Sequence, residues 1–239
     1  AAEADAVIRK AIAAYPKAPQ LQQLLGEALF AQHKAAASEK AFSKAIALQP
    51  KWWKPYDSLA KARMAEGHAQ AAMATYQQGL KAIPDNQALM LGLALTHSQT
   101  GDFDGAAKVY EQILAKQPGN VVAANNLASL IADHRSNDPA SLAKAKKLVA
   151  QFGSSKQLAF LDTYGWVHYR LGDLDKAAKA LSEVVQKAPK VPVFQYHLGM
   201  VYYKQGNKTA AKEHLTKALA GGAQAPWAGA ARRALNSVG

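Results

Sequence analysis

"PKWWKPYDSLAKARMAEGHAQAAMATYQQGLKAIP", residues 50–84, opens and closes on a proline, and that spacing decides the fold. Pro16, Pro50, Pro84 and Pro118 stand 34 residues apart, and Pro189 follows after 71, two periods plus three. Alanine leads the apolar residues, Val and Ile are sparse, and no run alternates β-branched with polar residues, so the chain reads as helical throughout. A length of 239 residues with 49% hydrophobic content is ample for a folded core.

Placing the prolines in register gives units that begin at Pro19, Trp53, Gln87, Val121, Leu158 and Pro192. The seventh position of each is apolar (Leu25, Leu59, Leu93, Leu127, Tyr164, Leu198), and the eighth is Gly or Ala (Gly26, Ala60, Ala94, Ala128, Gly165, Gly199). The twentieth is small (Ser38, Ala72, Ala106, Ala177, Ala211) and the twenty-fourth bulky (Phe42, Tyr76, Tyr110, Leu181, Leu215) in every unit but the fourth. Holes and knobs that recur in phase are what stacked helix pairs need.

With this 34-residue period and these positions, the chain resembles the tetratricopeptide-repeat family over essentially its full length. The resemblance implies an all-α, right-handed superhelical solenoid of antiparallel helix pairs. The expected division is 1–18 as the second helix of a preceding repeat, repeats at 19–52, 53–86, 87–120, 121–157, 158–191 and 192–225, and a capping helix at 226–239. The unit at 121–157 carries three extra residues and lacks the closing proline, with Phe152 nearby, which predicts a longer turn. In "EADAVIRKAIAAYP", Ala4 and Ile8 fit the small and bulky positions, so the chain is expected to be a piece of a longer array. A helix is expected to start at Pro226, with Trp227 packing.

The resemblance also implies that positions 2, 5, 6, 9, 12 and 13 of each unit line a concave groove, while 7, 8 and 11 pack inward. "LDTYGWVHYRLGD", 161–173, then divides: Tyr164, Gly165 and His168 are structural, whereas Asp162, Trp166, Tyr169 and Arg170 face the groove. The neighbouring units add Asn125, Asn126, Ser129 and Asp133 on one side and Tyr196, His197, Met200, Tyr203 and Lys204 on the other, an aromatic and amide-rich floor. The Lys and Asn clamp by which some family members grip a C-terminal carboxylate fails here. Position 5 is Gln23, Asp57, Leu91, Asn125, Asp162 or Tyr196, never Lys, and position 9 is never Asn.

The formal charge of +12 would attract an acidic partner. Most of the Lys and Arg fall on second helices and loops, as in "AKAKKL", which favours a solvated surface and disfavours nucleic acid, whose single strands want cations interleaved with stacking rings. Zero cysteines excludes disulfides, thiolate metal sites and cysteine nucleophiles. Neither a phosphate loop, nor an H-E-x-x-H pair, nor a G-x-S-x-G elbow is present, so no catalytic role, cofactor or metal is expected. "NKT" at 207–209 reads as a helix cap rather than a glycosylation acceptor.

"NNLASLIADH" (125–134) and "LDTYGWVHYRLGDLDKAAKAL" (161–181) are further similar to the C-terminal repeats of bacterial envelope proteins linked to exopolysaccharide synthesis and export, including exosortase-linked lipoproteins; the likeness covers roughly 121–220. It implies a periplasmic or envelope location with protein partners, a polysaccharide as a further partner, and an upstream membrane anchor. The absence of cysteine is equally compatible with cytoplasm. Two functions stay open: a scaffold in an exopolysaccharide assembly with the glycan in the groove, and a general adaptor that binds an extended peptide or partner helix. The chain holds no apolar run of the roughly 20 residues a spanning helix needs, and its start lacks the basic and apolar regions of a signal peptide.

Overall fold

A computed structural model describes residues 2–239, with side chains from Ala6 onward; the small position assigned to Ala4 lies outside the described side chains. The described residues form helices and no strand. Two compact units divide the chain, the first through Ala123 and the second Ala124–Gly239.

The first unit holds α1 (Ala2–Ala14), α2 (Pro19–Ala31), α3 (Ala35–Leu48), α4 (Trp53–Ala65), α5 (Ala69–Ala82), α6 (Gln87–Gln99) and α7 (Phe103–Lys116). Helix α8 (Val121–His134) begins where the first unit ends and lies mostly in the second. There it is followed by α9 (Pro139–Val149), a 3-10 turn (Ala150–Phe152), α10 (Leu158–Leu171), α11 (Leu174–Lys187), α12 (Pro192–Lys204), α13 (Lys208–Gly222) and α14 (Ala228–Val238). Sequence neighbours pack as pairs, α2 on α3, α4 on α5, α6 on α7, α10 on α11 and α12 on α13.

Local chemistry sets the ends of these helices. Pro19 and Pro192 sit in the first turns of α2 and α12, where a missing N–H costs nothing. Asn86, Asp102, Asp138, Asp173 and Asn207 accept hydrogen bonds from backbone N–H groups of the first turn, so Asn207 does cap α13. The turn inside a pair is left-handed at Gly67, Gly101, Gly172 and Gly206, with φ near +80°. His33 takes the same place in the first pair at φ 58°, a conformation that costs a residue with a Cβ about 1 kcal/mol.

The pairs close on the small and bulky positions. Ser38, Ala60, Ala72, Ala94, Ala106, Ala128, Ala177 and Ala211 are all buried, as are Phe42, Tyr76, Tyr110, Leu181 and Leu215. A Cβ on Gly26 would lie 2.4 Å from the Phe42 ring, one on Gly165 2.6 Å from Leu181 Cγ, and one on Gly199 2.9 Å from Leu215. The eighth residue of the first helix is therefore the hole, and the twenty-fourth, on the second helix, is the knob. Tyr164, at the seventh position, is half-buried; it packs against Leu161, Ala180 and Val184 at the edge of the core, with its ring beside His168 at 4.4 Å.

Two sequence expectations change. The extra residues at 121–157 are shared between the turn 135–138, the 3-10 turn that buries Phe152 against Phe160 at 4.9 Å, and the linker 153–157. The last helix starts at Ala228 rather than Pro226; Trp227 precedes it as the N-cap residue and stacks on Tyr196 at 4.8 Å.

His168 is buried, its Nδ1 3.3 Å from an Asp173 carboxylate oxygen but without the geometry of a hydrogen bond. Half-buried His214 pairs through Nδ1 with Gln195 Oε1 at 2.6 Å. Burial pushes both rings below the usual histidine value, outweighing the opposing pull of Asp173 and Glu213.

Gly165→Ala should lower stability by about 1–3 kcal/mol in urea titrations, because Leu181 must move, whereas Gly119→Ala, with nothing within 4 Å, should be near neutral. The histidines give a pH effect of fixed sign. Above the unfolded value of about 6.5 both rings are neutral in either state, and as pH falls below it the unfolded chain takes up protons that the folded one resists. The melting temperature should therefore drop between pH 7.5 and 5.5, and the drop should shrink in the His168→Gln/His214→Gln variant.

Candidate functional site

In the second unit, α8, α10 and α12 bring one face of each helix to a cavity of about 500 Å³. Asn125, Ser129 and Asp133 line it from α8, Asp162, Thr163, Trp166 and Arg170 from α10, Phe194, Tyr196 and His197 from α12, and Pro226 and Trp227 close it ahead of α14. The spacing of four residues on one helix and the repeat length between helices place these side chains side by side.

Trp166 is the hub. Its Nε1–H donates to Asp133 Oδ1 at 2.7 Å, from one repeat to the one before it. Its ring stacks with Tyr169 at 4.6 Å and with His197 at 4.1 Å, and the Arg170 guanidinium lies 4.7 Å from its centroid. Only 2% of the residue is exposed. Trp166, expected on the groove side, does line the cavity, yet the protein's own rings cover its faces, because adjacent first helices approach closely enough for their largest side chains to meet.

Beside it, His197 Nδ1 lies 2.9 and 3.0 Å from the two oxygens of Asp162, both residues buried. A carboxylate only accepts, so Nδ1 carries the proton and Nε2 is the ring's second hydrogen-bonding atom. Tyr196 is clamped between this pair and Trp227, and burial pushes its hydroxyl up to about 12, so it stays a neutral donor.

Two polar atoms lack partners. Asn125 is 9% exposed, its amide nitrogen donates to Asn126 Oδ1 at 3.3 Å, and its Oδ1 is buried without a donor. Arg170 Nε is likewise buried without an acceptor. Such atoms forfeit about 1–3 kcal/mol each until something fills them.

Of the residues singled out from the sequence, Asn125, Ser129, Asp133, Asp162, Trp166, Arg170, Tyr196 and His197 meet at this cavity. Asn126 stands behind Asn125, Tyr169 behind Trp166, and Tyr203 and Lys204 are exposed at the rim, with Lys204 Nζ 5.1 Å from the Tyr169 ring. His134, Thr163, Phe194 and Trp227 were missed. Thr163 sits at a groove position and could have been found; Phe194 and His134 lie one residue off register, and Trp227 was assigned to cap packing alone.

The first unit differs in chemistry. Gln23 Nε2 donates to Glu27 at 2.9 Å and Ser58 at 2.7 Å, Lys54 pairs with Glu27, and the Tyr76 hydroxyl donates to Asp57, which also holds Lys61. Its groove polar groups mostly satisfy one another, with Gln23 Oε1 left over. No cluster of three or more potential metal ligands occurs among the described residues, and no helix among them is long and apolar enough to cross a membrane.

Two family models, both described as tetratricopeptide repeat, match residues 63–131 and 165–226, together more than half of the chain. No curated protein matches it. Among solved structures, the APC/C hetero-tetramer Cut9-Hcn1 aligns over 97% of this chain at 18% identity and a TM-score of 0.69; the chain spans 45% of that one. A tetratricopeptide repeat protein from Parabacteroides merdae aligns over 92% of this chain and 98% of its own, at 12% identity and a TM-score of 0.65. YrrB, described as having an unusual peptide-binding site, aligns over 95% and 97% at 15% identity with a TM-score of 0.51. At these identities the likeness shows the fold, an all-α tetratricopeptide superhelix.

Trp166→Phe, which keeps the ring stack but removes the N–H to Asp133, should cost about 1 kcal/mol, since water can reach the exposed carboxylate. Trp166→Ala, which empties the hub, should cost about 3–5 kcal/mol. Paired urea midpoints would separate the two.

Proposed function

Because the chain belongs to the tetratricopeptide-repeat family, we propose that it is a non-catalytic scaffold whose second unit docks a protein partner, an extended segment laid along α8, α10 and α12 with one side chain in the cavity. The observation that carries this reading is Asn125: a nine-tenths buried side chain lining the cavity with an acceptor that a backbone N–H of a bound peptide would satisfy. Half-buried Phe194 and Trp227, with Pro226, offer apolar wall for an anchoring side chain.

A glycan is the second reading. The carboxylates and amide at Asp133, Asp162 and Asn125 suit sugar hydroxyls, and half-buried Trp227 would have to supply the stacking face that Trp166 lacks. We place the module in an envelope assembly linked to exopolysaccharide export on the resemblance of residues 121–220, which cell fractionation tests.

A binding screen of the purified protein against a random 12-residue peptide library and against glycan oligomers separates the readings. Peptides should be enriched, and the affinity of an enriched peptide should fall about tenfold in Asn125→Ala. Capture of glycan without peptide, insensitive to salt, would replace this reading with the second one.

A further inference from the structure

Cations on the second unit differ in their surroundings. Lys176, Lys187 and Lys217 each pair at 2.6–2.7 Å with an acid within one turn of the same helix. Arg170, Lys204 and Arg233 make no ion pair among the described residues, and the first two bracket the cavity's aromatic stack.

Arg170 and Lys204 occupy the thirteenth position of successive first helices. The Arg170 guanidinium is 5.9 Å and the Lys204 ammonium 5.1 Å from the centroid of one ring, Tyr169. Arg233, exposed on α14, lies close enough to act on Tyr196. The rings attract each cation but supply no acceptor, and Arg170 Nε is left buried and unfilled. Two like charges held beside one ring repel each other, and an anion between them relieves both defects at once.

The acids of the site do not answer this need. Asp133 is engaged by the Trp166 N–H and Asp162 by His197. The cavity's carboxylates are thus engaged by other groups, while Arg170 and Lys204 have no acid partner among the described residues.

We propose that the docked segment is acidic, with an Asp or Glu carboxylate seated between Arg170 and Lys204 and a neighbouring apolar residue in the cavity by Phe194 and Trp227. This rests on the peptide-docking reading and adds the sign of the partner. The net charge of +12 steers such a segment toward the protein. The site is distinct from a Lys and Asn clamp at positions 5 and 9, and it reads a side chain beside an anchor rather than a chain end.

The test is selection from a phage-displayed random 12-residue library on the intact chain, followed by affinity measurements with synthetic copies of enriched peptides. Enriched peptides should carry Asp or Glu next to an aromatic or aliphatic residue. Lys204→Gln, an exposed change that leaves the stack intact, should weaken them about fivefold at low salt, as expected for a rim charge. Lys204→Glu should bind the Glu→Lys version of a peptide better than the original. Enrichment of peptides without acidic bias, unaffected by Lys204→Gln, leaves the docking reading standing and overturns this one; enrichment of none overturns both. An Arg170→Gln variant, checked by its melting curve, repeats the comparison on the second cation.

Discussion

The contact between a small eighth residue and a bulky twenty-fourth one underlies everything else in this protein. Gly165 against Leu181, Gly26 against Phe42 and Gly199 against Leu215 leave no room for a methyl group, so each pair of helices is locked at one separation and one register. Dispersion and burial at such a contact depend steeply on distance, and a core packed this tightly tolerates neither a gap nor an insertion. Repeating the contact fixes where every first helix lies relative to its own second helix, and so which side chains face the groove.

Close approach has a second consequence on the groove side. Where successive first helices carry small or polar residues, as with Gln23 and Ser58 or Glu27 and Lys54, a hydrogen bond and an ion pair cross between them. Where they carry aromatics, the rings meet and stack, and Trp166 ends as the buried centre of a cluster with Tyr169, His197, Tyr196 and Arg170. Large rings at the groove positions therefore build a rigid floor, and the surface left for a partner is the rim and the cavity beside it. Asn125 and Arg170 are the places where that floor is incomplete.

Much of this was legible in the sequence. The helix class, the repeat, the buried status of Ala72, Ala106, Ala177 and their bulky partners and the capping role of Asn207 follow from period and residue type, and the family resemblance adds the inward place of His168. Eight of the groove residues named from the family's positions meet at one cavity. What failed was the state of those residues. Position told that Trp166 and Tyr196 share a face, but burial depends on what the next helix presents, and that is a property of the pair.

The sequence by itself determined the architecture, because a helix pair needs only local periodicity and a small residue opposite a large one, and both are written within 34 residues. Tertiary structure alone decided the site. The Asp133 to Trp166 and Asp162 to His197 bonds join residues a whole repeat apart, Trp227 comes from outside the repeat register, and the unfilled atoms of Asn125 and Arg170 are defined by neighbours that never arrived. A hydrogen bond made or missed across helices is a matter of tenths of an ångström, and no spacing along one chain records it.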